Sequence, residues 1–123
     1  HVHFGGFYSY GPLRHELAPL LARLREEASG LAADGRLGGC CLTVSLDSNA
    51  FEASQLDGVA DALGQLDVFK GNRSEVEMLS GRQGLDEALR GLTEGRACTV
   101  VATDGIHGAR FRSGDVGAEG AKA

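Results

Sequence analysis

Three short stretches carry residue types that can handle phosphate and a hard cation. Asn72-Arg73-Ser74-Glu75 sets an amide and a carboxylate three positions apart at the head of an apolar-periodic segment. That spacing suits a capping box, in which Asn accepts from the backbone three residues on and Glu reaches back to the Asn backbone. The same helix start offers N–H groups and a partial positive charge, which favour phosphate. Glu75 is placed to hold a magnesium ion there, directly or through water. Thr103-Asp104-Gly105-Ile106-His107-Gly108 follows an apolar run and sets two glycines three apart. It suits either a plain hairpin turn or a turn whose backbone faces a ligand. It lacks the Gly-Lys-Ser/Thr end of a phosphate loop and does not match the GxGxxG dinucleotide fingerprint. Asp47-Ser48-Asn49 closes another apolar run. Asp and Asn there serve a turn through side-chain to backbone bonds, or stand as two polar groups at the mouth of a sheet.

Other chemistries are less supported. His1-Val2-His3 puts two imidazoles on one face of a strand with no third ligand in view, and His15 and His107 stand alone and read as solvated. The cysteines number 3, of which Cys40 and Cys41 are neighbours, and no CxxC occurs. They form neither a disulfide framework nor a zinc site, and read as small buried apolar residues in a reducing compartment.

The elements that must position these groups follow from the hydrophobic pattern. With 42% hydrophobic and 24% charged residues over 123 positions, the chain is one small soluble domain or a piece of a larger one. A net charge of −5 with no basic stripe argues against duplex nucleic acid and anionic membranes. No apolar run nears the roughly 18 residues of a membrane span. The chain opens on His1 without a signal-peptide pattern, and Met78 is its only methionine, which reads as an internal segment of a longer product. The 19 glycines fall mainly at the ends of apolar segments, where turns need them.

Val2 to Phe7 reads as a buried strand. Leu13, Leu17, Leu20, Leu21, Leu24 and Ala28 share one helical face, with the helix starting near or kinked at Pro19 and stopped by Gly30. A Gly-rich loop over 31–39 leads to a second strand, Cys40 to Leu46. Ser54 caps a helix with apolar positions Leu56, Val59, Ala60 and Leu63. Leu66 to Phe69 forms a short strand, Asn72 to Leu79 a short helix closed by Gly81, and Leu85, Ala88, Leu89 and Leu92 mark a helix closed by Gly95. Cys98 to Thr103 is a third strong strand, Gly105 to Gly108 a tight turn, and Ala109 to Arg112 a returning hairpin strand. Residues 113–123 read as a flexible tail or loop. Continuous apolar strands alternating with helices predict an α/β fold with a mostly parallel sheet, helices on both faces, and ligands beyond the carboxyl ends of the strands.

The order of these stretches resembles the PfkB, or ribokinase-like, family of carbohydrate kinases. LDVFKGNRSEVEMLSG (Leu66–Gly81) is similar to the family's Asn-x-x-Glu segment, and CTVVATDGIHGARF (Cys98–Phe111) to its strand and Thr-x-Gly-x-x-Gly nucleotide loop. VSLDSNAF (Val44–Phe51) resembles the strand ending in Asp-Pro-Asn, with Ser48 in place of Pro and Phe51 where many relatives have Arg. Gly71 stands where a Pro often precedes the Asn. The opening HVHFGGFYSY fits the preceding strand. The resemblance implies a Rossmann-like three-layer α/β/α ribokinase-like fold, incomplete, with residues 1–112 as the central part of the domain. It implies that Asn72 and Glu75 bind phosphate and magnesium, with Glu75 the metal residue. Thr103, Gly105 and Gly108 would border the nucleotide, and Asp47 and Asn49 would lie near phosphate or acceptor. The implied activity is ATP-dependent phosphorylation of a sugar hydroxyl in the cytoplasm, with ATP and Mg2+ as cofactors and the full-length protein able to form a homodimer. The alternative is a non-catalytic nucleotide-binding or regulatory relative. The catalytic base is expected downstream of Ala123, and the lid before His1.

Overall fold

A computed structural model describes residues 1–5, 13–34, 42–48 and 58–114. Among the described residues five strands form a single sheet in the order β1 (Val2–Phe4), β2 (Val44–Asp47), β3 (Val68–Asn72), β4 (Thr99–Thr103) and β5 (Ala109–Ser113). The first four are parallel, and β5 returns antiparallel to β4. Helix α1 (Leu13–Ala33) connects β1 to β2, and α2 (Val59–Ala62) with a 3-10 turn at Leu63–Gln65 leads into β3. Helices α3 (Arg73–Ser80) and α4 (Leu85–Thr93) lie between β3 and β4.

The strands alternate sharply. Val44, Leu46, Phe69, Val100 and Ala102 are buried with Leu17, Leu21, Val59, Leu63, Val76, Ala88, Leu89 and Leu92 from the helices. Their neighbours Ser45, Asp47, Lys70, Asn72, Val101 and Thr103 point to the opposite face and are partly or fully exposed. The sheet is therefore mostly parallel, as expected, but among the described residues one face carries the helices and the other is open. The strand order explains this. Strands added in sequence, each through a right-handed crossover, keep every connecting helix on one side. The second helical layer of a three-layer fold is not supplied by these residues.

Several boundaries differ from the sequence expectation. α1 starts at Leu13 and runs through both Pro19 and Gly30. Proline removes one hydrogen bond of a long helix, and Gly30 costs about 1 kcal/mol relative to Ala, which a helix seated by Leu17 and Leu21 can absorb. A Cβ at Gly30 would meet nothing within 4 Å, and the Gly30 carbonyl accepts from the Asp34 N–H at 3.1 Å. β1 ends at Phe4, and β2 begins at Val44. Cys40, Cys41, Phe51, Ser54 and Leu56 lie outside the described residues. Ala60 is exposed and Ala62 takes its expected place in the core. Leu66 is buried ahead of β3, which starts at Val68 and runs on to Asn72. At the other end Ser113 belongs to β5, and the Gly114 N–H donates to the Cys98 carbonyl at 3.0 Å. Residues 113 and 114 are thus tied to the start of β4, and 115–123 lie outside the described residues.

Arg25 ties α1 to the sheet. Its Nη2 donates to Asp67 Oδ2 at 2.9 Å and its Nε to the Gln65 carbonyl at 2.9 Å, while the same Asp67 oxygen accepts the Val44 N–H at 2.7 Å. Cys98, buried at the base of β4, matches the expected inert thiol. Desolvation, with the Asp67 charge adding to it, pushes its pKa from 9.0 to about 11. A thiol raised in this way is protonated in the folded protein at neutral pH and reacts slowly. Below pH 9 both folded and unfolded thiols are protonated and stability is undiminished; as pH climbs from 9 towards 11 the unfolded thiol ionises first and stability falls. Peptide-resolved alkylation at pH 8 should therefore show Cys98 protected in the native protein and labelled at once in denaturant. Prompt native labelling would contradict the buried placement.

Candidate functional site at the carboxyl edge of the sheet

Asn72 and Thr103 are the last residues of β3 and β4, and the parallel register sets them side by side. The chain leaves β3 directly into α3 and leaves β4 into the 104–108 turn. The head of a helix and a glycine turn, distant in sequence, are thereby brought together.

The capping box is fully built. Asn72 Oδ1 accepts from the Glu75 N–H at 2.9 Å, and Glu75 Oε2 accepts from the Asn72 N–H at 2.7 Å. Glu75 is 2% exposed and fills the space over Gly71. A Cβ at Gly71 would stand 3.0 Å from Glu75 Oε2 and 3.3 Å from its Cβ, so a glycine before the Asn lets the carboxylate fold back tightly. This first turn leaves the Arg73 and Ser74 N–H groups directed out of the helix start.

The turn closes on itself. The Asp104 N–H donates to the Gly108 carbonyl at 2.7 Å, the His107 N–H to the Asp104 carbonyl at 2.9 Å, and the Gly108 N–H to the Gly105 carbonyl at 3.1 Å. Gly105–His107 form one 3-10 turn. Gly108 has φ 87 and ψ −137, a region open in practice only to glycine. The loop is thus the hairpin turn that its sequence also allowed, with residues 105–108 exposed.

Asp47 ends β2 on the open face, one strand away. Its Oδ2 lies 3.5 Å from Lys70 Nζ, the residue with which it is paired in register. Lys70 shares that face with Asn72, two residues on. Nothing in the spacing along the chain singles out Lys70; only the register, which places it beside Asp47, draws attention to it. Asn49 lies outside the described residues. The structure thus brings together Asn72, Glu75, Thr103, Gly105 and Gly108, with Asp47 at the flank.

The donor set suits a polyanion more directly than a metal cage. Among the described residues no three His, Cys, Asp or Glu side chains converge as metal ligands. Glu75 is buried and already bonded to the Asn72 backbone, which favours contact with an ion through water. Magnesium fits such a place, since it keeps several waters and takes phosphate oxygens as ligands. The two N-terminal histidines meet Ser45, with His1 Nε2 at 3.0 Å and His3 Nδ1 at 2.7 Å from its Oγ. They form no larger cluster among the described residues.

No protein-family model matches the chain, and no curated protein matches it. Solved structures do. The fructokinase of Vibrio cholerae O395, in a form with fructose, ADP and calcium ion bound, aligns at a TM-score of 0.55 and 24% identity over 90% of this chain and 34% of that one. A double mutant of that enzyme, with fructose, ADP and potassium ion bound, gives 0.54 at the same identity and coverage of 90% and 34%. A PfkB protein from Polaromonas sp. JS666 gives 0.51 at 21% identity, over 91% of this chain and 36% of that one. The fold is ribokinase-like α/β, present in part. It is the fold of these fructokinase and PfkB protein structures, and the chain spans about a third of their length.

Proposed function

We propose that these 123 residues are the nucleotide-binding middle portion of a PfkB-type sugar kinase that transfers the γ-phosphoryl group of ATP to a sugar hydroxyl. The observation that carries the reading is the register of Asn72 with Thr103, which joins a capped helix start to a glycine turn at the carboxyl edge of parallel strands. Ligands in open α/β sheets bind at that edge. The fructose and ADP bound to the fructokinase neighbours agree with sugar and nucleotide as ligands.

In this reading the Arg73 and Ser74 N–H groups and the helix dipole receive phosphate oxygens. Thr103 and the backbone of Gly105 and Gly108 border the nucleoside end. Asp47 stands where phosphate meets acceptor. Glu75 with Asn72 would hold the water shell of a magnesium ion, which would supply positive charge against that of the phosphates. The sugar oxygen attacks the γ-phosphorus, the bond to the β–γ bridging oxygen breaks, ADP departs, and the hydroxyl proton passes to a carboxylate base outside these residues. Positioning and fixed dipoles supply most of the acceleration in such transfers.

Under the same proposal the full-length protein would work in the cytoplasm and could pair as a homodimer. Among the described residues no helix is long and apolar enough to cross a membrane. The test is a coupled ADP-release assay with MgATP and a panel of pentoses, hexoses and sugar acids. The full-length protein should show sugar-dependent turnover and the 123-residue chain none. Robust turnover by the chain alone would place the machinery elsewhere. Nucleotide binding without turnover by the full-length protein would favour a non-catalytic relative.

A further inference from the structure

Arg73 follows Asn72 and Asp104 follows Thr103, so the two residues sit just past a pair of strand ends that are already in register. Arg73 Nε donates to Glu77 Oε1 at 2.9 Å, one helical turn on, and Nη1 reaches Asp104 Oδ2 at 3.5 Å. A guanidinium held at two points keeps its plane and direction, which an ammonium would not. The 104–108 turn otherwise bonds within itself, and among the described residues no other side-chain hydrogen bond joins it to another element. Asp104 is the more enclosed partner, its side chain 19% exposed against 48% for Arg73.

We propose that Arg73 is a positioning residue that, braced by Glu77, sets the 104–108 turn against the head of α3 through Asp104. Both halves of the site then meet a nucleotide already assembled. The proposal rests on the nucleotide reading of the site. It assigns a role to two positions, Arg73 and Asp104, that lie between the motif residues and outside them.

The experiment measures MgADP affinity by calorimetry, and Tm beside it, in the full-length protein carrying Arg73→Gln, Asp104→Asn, both together, or Arg73→Lys. Each of the first two should weaken MgADP about three- to tenfold, the scale of one exposed ion pair and the loop order it maintains. The double variant should weaken it no further than either single one, because the Arg73–Asp104 contact is lost in every case. Arg73→Lys should recover part of the affinity, and Tm should stay near that of the parent. Additive losses in the double variant, unchanged affinity, full recovery with Lys, or a Tm that falls in step with affinity would each overturn the role. If the parent protein does not bind MgADP, the nucleotide reading itself fails, and the proposal with it.

Discussion

Glu75→Gln in the full-length protein is expected to lower kcat by roughly 10- to 100-fold while leaving Tm nearly unchanged, the scale seen when a group beside a metal's ligand shell is altered. The structure makes this the informative substitution. Glu75 is half of a complete capping box with Asn72, so Glu75→Ala removes a helix cap whatever else the residue does, at about 1 kcal/mol or somewhat more. A loss of activity in that variant would confound folding with chemistry. Glutamine can keep the bond to the Asn72 N–H, since Gln serves at this capping-box position as well as Glu. What it lacks is the charge that would orient water around magnesium. A selective fall in kcat, with KM for sugar little changed, therefore supports the phosphate and magnesium role. Full activity in Glu75→Gln, beside lowered stability in Glu75→Ala, would leave Glu75 as a cap alone.

Gly114→Ala is expected to cost about 3 kcal/mol or more, near the upper end for overpacking, and to lower Tm by some 10 °C. A Cβ at Gly114 would stand 1.6 Å from the Arg96 carbonyl oxygen and 3.0 Å from that of Thr93. Both are backbone atoms, one in the last residue of α4 and one in the segment that follows it, and they cannot step aside as a side chain could. The Gly114 N–H also holds the end of β5 to Cys98, so relief of the clash would release the strand that closes the sheet. Gly30→Ala is the matched control. It lies inside α1 with open space around it, so alanine there should add up to about 1 kcal/mol of stability. Thermal melts of the two variants should move in opposite directions. A Gly114→Ala protein as stable as its parent would mean that the chain passes Arg96 by another route.

The sequence disclosed local chemistry well and spatial assembly less well. Asn72 and Glu75 could be read as a capping box because both partners lie within one helical turn. The hairpin after β4 was legible because glycines at 105 and 108 bracket it. The length of α1 was not, since Pro19 and Gly30 argue for breaks locally while Leu17 and Leu21, seated in the core, hold the helix through both. The open face of the sheet was hidden for another reason. Alternation in β3 and β4 is blurred by Val68 and Val101, apolar residues on the uncovered side. Periodicity therefore suggested strands buried on both faces. Lys70 beside Asp47, Arg73 facing Asp104, and the tight passage of Gly114 depend on register and on contacts between distant segments, which spacing along the chain does not encode.

The central claim, that a nucleotide lies across the paired ends of β3 and β4, is tested most directly by titrating the isotope-labelled 123-residue chain with MgADP and following its backbone amide resonances. Saturable shifts are predicted in two stretches, Asn72–Glu75 and Thr103–Gly108, with Asp47 and Lys70 responding at the margin and the surface of α1 silent. Shifts centred on any other part of the chain, or no saturable shift at either stretch, would contradict it.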